Sequence, residues 1–552
     1  MRSAIVTSPK GLQVRAIAGT YVVLLAMNCP AAYAQGLLGF GIERTDGTNG
    51  ETVWLRGLKR FDLPDADDGE QVTTRRHPVQ KFHWGDYTAK PGRHYTYRVH
   101  AFRGSAAALV DDDAVAVAVQ CETPGRVGPN GHAVHFNRSA AASQAFASRF
   151  PGLPKGDVED PQARRWLSRG LAEALVAFID ETRPGQSLRL FVYEFEKPEF
   201  LQALQAAAGR GVTLEVLYDG LIDADGQGPS LKSDAAIDDA GLRPFCRKRT
   251  GAGLAISHNK FMVRCGAGGE PLAVWTGSTN FTDGGIYGQS NVGHAIEDAA
   301  LADQFLTWHQ RVWQGAAQGP GLSVQESRAL AMQLSPLQPA QGRGTRLVLS
   351  PRRSVEAIDA CAALVSAAGR MVCFTAPFAL HDTLEEALAG APAQVFGLLN
   401  NRGVVGTALH QAPNTQLAAA AAVKDKGTLA KWQGRLRAES MQHSGVFIHT
   451  KFVLVDPLSA HPVVVTGSAN FSTNSSKNND ENQLFVAGEP EVADVYLGEF
   501  MRMFDHYQFR DHLREVALLK ATQPNAGFLD ETDGWTARFF GGHREAARLA
   551  FF

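Results

Sequence analysis

Two short segments hold the residues best suited to chemistry. The first reads His258-Asn259-Lys260-Phe261, followed by Gly277-Ser278-Thr279-Asn280-Phe281; the second reads His449-Thr450-Lys451-Phe452, followed by Gly467-Ser468-Ala469-Asn470-Phe471. The histidines and lysines recur at an offset of 191 residues (258 to 449, 260 to 451), the asparagines at 190 (280 to 470). Residues two apart on a strand share a face, so each His-x-Lys presents an imidazole beside a fixed cation. A histidine titrates near neutrality and serves as nucleophile, general base or general acid. The Gly-Ser-x-Asn that ends the next strand adds close backbone approach at Gly and neutral donors at Ser and Asn. A cation, neutral donors and a group that attacks or donates a proton are the parts of a phosphate site. No carboxylate set suited to Mg²⁺ and no His/Cys set with zinc spacing accompanies them, so the chemistry is expected to need neither metal nor cofactor.

The elements that must position these segments repeat as well. Ala133–Phe136 is a short strand candidate, Arg164–Thr182 has helical apolar spacing, Leu188–Tyr193 is a buried-strand run, Pro198–Ala208 a helix and Val212–Tyr218 a strand. The rhythm returns as Leu347–Leu349, Val355–Ala368, Met371–Thr375, Thr383–Leu388 and Val395–Leu399. Strand, helix and strand in this order give an α/β layer structure, present twice. Between the copies, Gly315–Gly344 is rich in Gln, Pro, Gly and Ala and reads as a connector with a short helix near Glu326–Leu334. In the second copy Gln411–Ala422 reads as an insertion, followed by Lys424, Lys426, Lys431, Arg435 and Arg437, either a solvated face or a substrate-facing basic strip.

The second motif, His449-x-Lys451-x4-Asp456 with Gly467-Ser468-x-Asn470, resembles the HKD signature of the phospholipase D superfamily, and His258-x-Lys260 with Gly277-Ser278-x-Asn280 resembles its partner. The resemblance covers about residues 126–520. It implies two pseudo-symmetric mixed-sheet α/β/α halves meeting at one site, where one histidine attacks phosphorus to give a phosphohistidine and the other protonates the leaving oxygen, then activates water. It also implies that Lys260, Lys451, Asn280 and Asn470 hold phosphate oxygens. The first copy departs from the pattern: Cys265 stands where the second has Asp456, and Asn291 stands where the second has Glu481. In the family the acid after one Gly-Ser-x-Asn supports the histidine of the other copy. Glu481 is therefore expected to support His258 and favour it as nucleophile, leaving His449 as general acid. The rival expectation is a first copy degenerate enough to leave a vestigial site.

Around this lies a chain of 552 residues with 54 basic and 56 acidic side chains, 44% apolar. That length calls for several domains, and the net charge of −2 provides no global field for polyanions. Six cysteines without metal or redox spacing read as reduced thiols. No apolar run reaches the length of a membrane span, so a soluble or peripheral protein is expected. Ala16–Met27, with Arg2, Lys10 and Arg15 before it and Ala32-Tyr33-Ala34 after it, has the outline of a secretory signal. Yet Thr20–Met27 is rich in strand formers and is followed by the alternating Gly39–Arg44 and Tyr95–Ala101. These short strands resemble a fibronectin type III or Ig-like sandwich, with Tyr95 or Tyr97 as a tyrosine-corner candidate. A strand makes the protein cytoplasmic by default, whereas a signal would make it secreted or periplasmic.

The expected plan is multidomain: an all-β sandwich over 1–125, a phospholipase D-like repeat over 126–315, a connector over 316–344, a second repeat over 345–520 and an aromatic tail over 521–552. Glu194, Glu196 and Asp219 close strands where α/β folds place their sites, though such residues more often cap a helix or face water. Arg247-Lys248-Arg249 reads as a solvated loop or a positive rim. Phe281, Phe471, Tyr287 and His294 are candidates for lining a channel or for packing. The Val492–Phe509 helix carries a Tyr496, Phe500, Phe504 and Tyr507 stripe of the kind that docks into a core. The tail from Trp535 to Phe552 packs on the body, covers the site as a lid, or meets a lipid surface. The leading expectation is a phosphodiesterase acting on a phospholipid through a phosphohistidine. A nuclease, a phosphatidyltransferase and a scaffold with a degenerate site are the alternatives, and the partner of the sandwich is unknown.

Overall fold

The computed structural model describes residues 1–57, 59–63, 72–123, 125, 131–138, 145–146, 149–151, 153, 159–222, 228–319, 321–337, 342–419, 447–519, 527–541 and 544–552, with the side chains of 512–519 left aside. The basic residues Lys424, Lys426, Lys431, Arg435 and Arg437 lie outside the described residues.

The N-terminal part is all-β, two antiparallel sheets with their inner faces together. One has the strand order β1 (Val6–Thr7), β2 (Gln13–Ala18), β3 (Val23–Asn28) and then β6 (His83–Asp86). The other runs β8 (Ala108–Gln120), β7 (His94–Ser105), β4 (Gly39–Asp46), β5 (Thr52–Trp54). Val14, Leu25 and Met27 meet Phe40, Ile42, Tyr97 and Val117 between them. The opposite face of the first sheet is also covered, because Ile17, Leu24 and Ala26 join the core that it shares with the α/β body. Burial on both faces explains why Val22–Met27 is continuously apolar instead of alternating. The run with the outline of a secretory signal, Ala16–Met27, thus covers the end of β2, the turn after it and most of β3. Arg2 is tied into the body as well, its Nε donating to Asp494 at 2.8 Å.

Each α/β half is built on a seven-stranded mixed sheet. The first contains β9 (His132–Phe136), β10 (Ser187–Val192), β11 (Thr213–Asp219), β12 (Cys246–Arg249), β13 (Lys260–Cys265), β14 (Pro271–Gly277) and β15 (Val292–Ile296), in the order β9-β15-β14-β13-β10-β11-β12. The second contains β16 (Gly344–Ser350), β17 (Met371–Ala376), β18 (Gln394–Leu399), β19 (Thr415–Ala419), β20 (Phe452–Val455), β21 (Val463–Gly467) and β22 (Glu481–Ala487), in the order β16-β22-β21-β20-β17-β18-β19. The two orders are the same when strands are numbered within each half. In both, the crossover strands are parallel and the strand bearing the lysine motif is antiparallel to its neighbours.

Two helices fill the space between the sheets. α1 (Ala299–Gln318) contributes Phe305, Trp308 and Val312, and α2 (Pro490–Leu519) contributes Tyr496, Phe500 and Phe504, to one core with Phe261, Val263, Phe452 and Leu454. The aromatic stripe of α2 therefore docks in the core as its spacing predicts.

Two local expectations are corrected. The helical run Arg164–Thr182 is two helices, Pro161–Ser168 and Leu171–Asp180, broken where Arg169 and Gly170 take φ of 51° and 94°. The break lets the buried Arg169 guanidinium reach Glu499 and lie over the Tyr21 ring. Thr415–Ala419, inside the expected insertion, is the edge strand of the second sheet. The aromatic C-terminal segment packs on the body, the first of its expected placements: Trp535 and Phe539 enter the sandwich core against Phe82, and the Trp535 indole donates to Leu37 O at 2.8 Å. Among the described residues no helix is long and apolar enough to cross a membrane.

Candidate active site

The two His-x-Lys segments are brought together by backbone pairing between the halves. Ser257 bridges Asp480, and His258 N–H donates to Asp480 O at 2.9 Å. At the pseudo-symmetric place Ser290 bridges Ile448, and His449 N–H donates to Ser290 O at 3.1 Å. Each histidine is thus fixed by the segment that follows the other half's Gly-Ser-x-Asn. Gly277 and Gly467, with φ of 144° and 149°, make this possible: a Cβ there would stand 2.2 Å from Val292 O and 2.4 Å from Asn482 O. The seam is closed by Thr276 Oγ1 donating to Asn482 Oδ1 at 2.6 Å, and by Asn482 Nδ2 donating to Asn259 Oδ1 at 2.9 Å.

The side chains obey the same exchange. His258 Nδ1 lies 2.8 Å from Glu481 Oε2, and His449 Nδ1 lies 2.9 Å from Asn291 Oδ1. Asn291 Nδ2 donates to Gly285 O at 2.8 Å, which fixes its amide so that Oδ1 faces the histidine as an acceptor. Both imidazoles then carry their proton on Nδ1 and leave Nε2 with its lone pair. Ser468 Oγ donates to Glu481 Oε2 at 2.8 Å, and Ser278 Oγ donates to Asn291 Oδ1 at 2.8 Å. The serines therefore hold the partners of the histidines, where the sequence suggested contact with anionic oxygens. Lys260 and Lys451 fold back onto the carbonyls of their own histidines at 2.6 and 2.7 Å. Asn280 Nδ2 donates to Glu194 Oε2 at 2.5 Å, while the buried Oδ1 atoms of Asn280 and Asn470 have no partner among the described residues.

Burial sets the charge states. It pushes His258 down to about 4, with Glu481 opposing and Lys260 adding to the shift, and holds His449 well below its ordinary range with Lys451 and Lys260 acting in the same direction. Lys260 is lowered to about 8 by burial, held up by Glu481, Glu194 and Asp219; Lys451 is held well below its ordinary range by burial and by the Lys260 charge. Glu481 is buried, yet lies below the usual carboxylate range because His258, Lys260 and Ser468 stabilise its charge. The resting pair is a carboxylate and a neutral imidazole. An unfolded histidine takes a proton near 6.5, so between about 6.5 and about 4 the His258 position of the unfolded chain binds more protons than that of the folded one. Protonation then favours unfolding. The stability of the native chain relative to His258→Asn should decline as pH falls through this window, and thermal midpoints of both proteins that keep a constant difference from pH 7 to pH 4 would contradict it.

Asp456 is not brought to the cluster. It follows β20 at the far end from Lys451, roughly 16 Å along an extended chain. Its carboxylate accepts the backbone N–H groups of Gly369, Arg370 and Met371 at 2.7, 2.7 and 2.9 Å. The buried Cys265 ends β13 in the same way, so the Asp-to-Cys departure touches a sheet corner and leaves the histidines alone. Phe281, Phe471, Tyr287 and His294 are buried in packing, His294 with its Nε2 2.7 Å from His132 Nδ1. Sequence reasoning missed three contributors. Tyr193 and Phe447 stand edge-on to His258 and His449 at centroid distances of 4.9 and 5.5 Å. Asp480, behind His258, meets the fully buried Arg249 at 2.7 Å.

Residues 175–313 and 389–504 match the family model described as cardiolipin synthase, PLD-like domain. No curated protein sequence matches the chain. Solved structures that align include a phosphatidylserine synthase from Haemophilus influenzae Rd KW20 (13% identity, 70% of this chain and 100% of that one, TM-score 0.41). Another is a polyphosphate kinase from Porphyromonas gingivalis (15%, 64% and 48%, TM-score 0.37), of which this chain spans about half. A third is the phospholipase D family member Nuc from Salmonella typhimurium (19%, 30% and 95%, TM-score 0.21). The family-matched segments contain both His-x-Lys motifs, both Gly-Ser-x-Asn motifs and Glu481, and they support a phospholipase D-like superfamily relation for the two α/β halves.

Proposed function

We propose that this protein is a phosphodiester-active enzyme that works through a phosphohistidine on His258, with a phospholipid as the favoured substrate. The observation that carries the proposal is the reciprocal pairing at the site. Each half supplies an imidazole whose Nδ1 is held by the other half, with two lysines beside them, and the His449 ring also hydrogen-bonds the Ser278 backbone. His258 Nε2 attacks phosphorus as the bond to the leaving alkoxide breaks, and His449 passes a proton to that oxygen. Glu481 holds the Nδ1 proton of His258 and stabilises the positive charge that the ring gains. His449 then takes a proton from the attacking water or alcohol, and the phosphorus–nitrogen bond breaks. Since His449 rests neutral, it must gain its proton as the anionic substrate enters.

The family description, cardiolipin synthase, supports a phospholipid and gives a second reading, transfer of the phosphatidyl group to an alcohol. We take the domain divisions near 125, 315, 344 and 520, and the fibronectin III or Ig-like character of the first unit, as part of this proposal. The Tyr95 hydroxyl, which accepts the Lys90 backbone N–H at 3.1 Å, supports a tyrosine corner there.

The test is turnover in excess EDTA on phosphatidylcholine vesicles, with and without added glycerol, beside a labelled single-stranded oligonucleotide. Head-group release that His258→Asn and His449→Asn both abolish is the expected result. A glycerol-dependent phospholipid product would select transfer, and cleavage of the oligonucleotide alone would replace the lipid reading by a nuclease.

A further inference from the structure

The backbone of the site is nearly two-fold symmetric, but its walls are not. In register, β10 and β11 of the first half correspond to β17 and β18 of the second, with Val192 opposite Tyr218 as Ala376 is opposite Leu399. Just beyond these pairs the first half places Tyr193, Glu194 and Asp219, and the second places Pro377, Phe378 and Asn400. One wall is thus acidic, whereas the other carries Phe378, 48% exposed, with Phe447 at 6.5 Å between it and His449.

The acidic wall has more acceptors than the protein satisfies. Asp219 is 1% exposed; its Oδ1 accepts the Ser257 N–H at 2.8 Å and the Leu221 backbone N–H also stabilises its charge, while among the described residues its Oδ2 makes no hydrogen bond of good geometry. Burial raises this carboxyl to about 7. Asn280, which donates to Glu194, leaves its own buried Oδ1 unpaired among the described residues. Glu194 and Asp219 both act on the Lys260 ammonium and on Tyr193, whose ring lies 5.0 Å from Lys260 Nζ. Lys260 itself donates to His258 O and reaches none of the unpaired oxygens by a hydrogen bond. Buried acceptors left unmet are destabilising, and such positions call for a donor-rich ligand. An ammonium group has three N–H donors, no acceptor and the charge that opposes these carboxyls.

We propose that the Tyr193–Glu194–Asp219 wall with Asn280 is a subsite for an ammonium-bearing substituent of the phosphate, so that the amino alcohol end of the substrate lies on the His258 side. The subsite rests on the phosphodiester reading and deepens it by naming the substrate class. The second wall leaves the aromatic faces of Phe378 and Phe447 to the apolar end.

The test compares two ligands that differ only in the ammonium, O-phosphoethanolamine and ethyl phosphate, by calorimetric titration of the full chain at pH 7.5. The amine is expected to bind about tenfold tighter, the ordinary worth of one charge-assisted hydrogen bond. The preference should fall toward one in Glu194→Gln and in Asp219→Asn; the Asn form retains an acceptor for the Ser257 N–H. Equal affinities in the native protein, no binding of either ligand, or a preference that survives in both variants would each overturn the subsite. Turnover of bis(4-nitrophenyl) phosphate separates this from the parent reading. An amine preference without turnover keeps the subsite and rejects the phosphodiesterase, and turnover without preference does the reverse.

Discussion

In the His449→Asn protein, a phosphodiester with a good leaving group should release about one equivalent of alcohol per site and then stop, with the phosphorus retained on His258. A nitrophenolate leaves without a proton, so the first step survives loss of the general acid. The second step does not, because water is left without a base, and the phosphohistidine accumulates. His258→Asn removes the nucleophile and should give no burst at all, with steady turnover down by at least about 10⁴-fold. Acid-quenched protein, digested and mapped, reads the difference directly. A burst in His258→Asn with phosphorus on His449 would exchange the two roles. The expected assignment follows from the unequal partners: a carboxylate behind His258 favours the imidazolium-like ring formed by attack, while the neutral Asn291 behind His449 makes a proton there easier to give away.

This asymmetry is visible in the sequence once the two copies are aligned, because Glu481 and Asn291 occupy matching places after Gly-Ser-x-Asn. The expected partnership of Glu481 with His258 is found at 2.8 Å, since the exchange of segments between halves carries each residue across the seam. Other features depend on direction and depth, which spacing does not encode. Asp456 and Lys451 are five residues apart on one strand, and that interval puts them at its opposite ends. Ser278 and Ser468 are donors on any sequence reading, but the nearest acceptors are the buried Asn291 and Glu481. The run Val22–Met27 has the composition of a secretory core because its sheet is covered on both faces, an outcome set by α2 in the distant C-terminal part of the chain. The tail aromatics Trp535 and Phe539 have no periodicity that names their partner; shape complementarity to Phe82 decides it.

Arg249 is the clearest case of a readable signal passed over. Within Arg247-Lys248-Arg249 the alternation of a strand puts the two arginines on one face and the lysine on the other. Arg247 stacks on Trp313 at 4.0 Å, Lys248 reaches Asp234 at 2.6 Å in half-exposed surroundings, and Arg249 is fully buried. A strand edge rather than a loop was the information needed, and the parallel pairing of β12 with β11 supplies it.

Replacing Arg249 by Met should therefore damage the site from behind. The guanidinium donates to Asp480 at 2.7 Å, to Ser327 Oγ at 2.8 Å and to the carbonyls of Thr250 and Leu322 at 2.6 Å each. Methionine fills most of the volume but leaves the Asp480 carboxylate buried with, among the described residues, only the Ser257 Oγ contact at 3.4 Å. Removing one partner of a buried pair costs about 3–5 kcal/mol, because the remaining charge is uncompensated. The loss should fall locally, since the same Asp480 accepts the His258 N–H through its carbonyl and bridges Ser257. Amide exchange in the segment from Ser257 to Lys260 should quicken more than in β20 of the other half, and turnover should drop with it. Adding Asp480→Asn to Arg249→Met removes the stranded charge while keeping the backbone contacts, so it should recover most of the lost stability. If the double variant is no more stable than Arg249→Met, the damage comes from the lost contacts to Thr250, Ser327 and Leu322, and Asp480 is held at the site by its backbone alone.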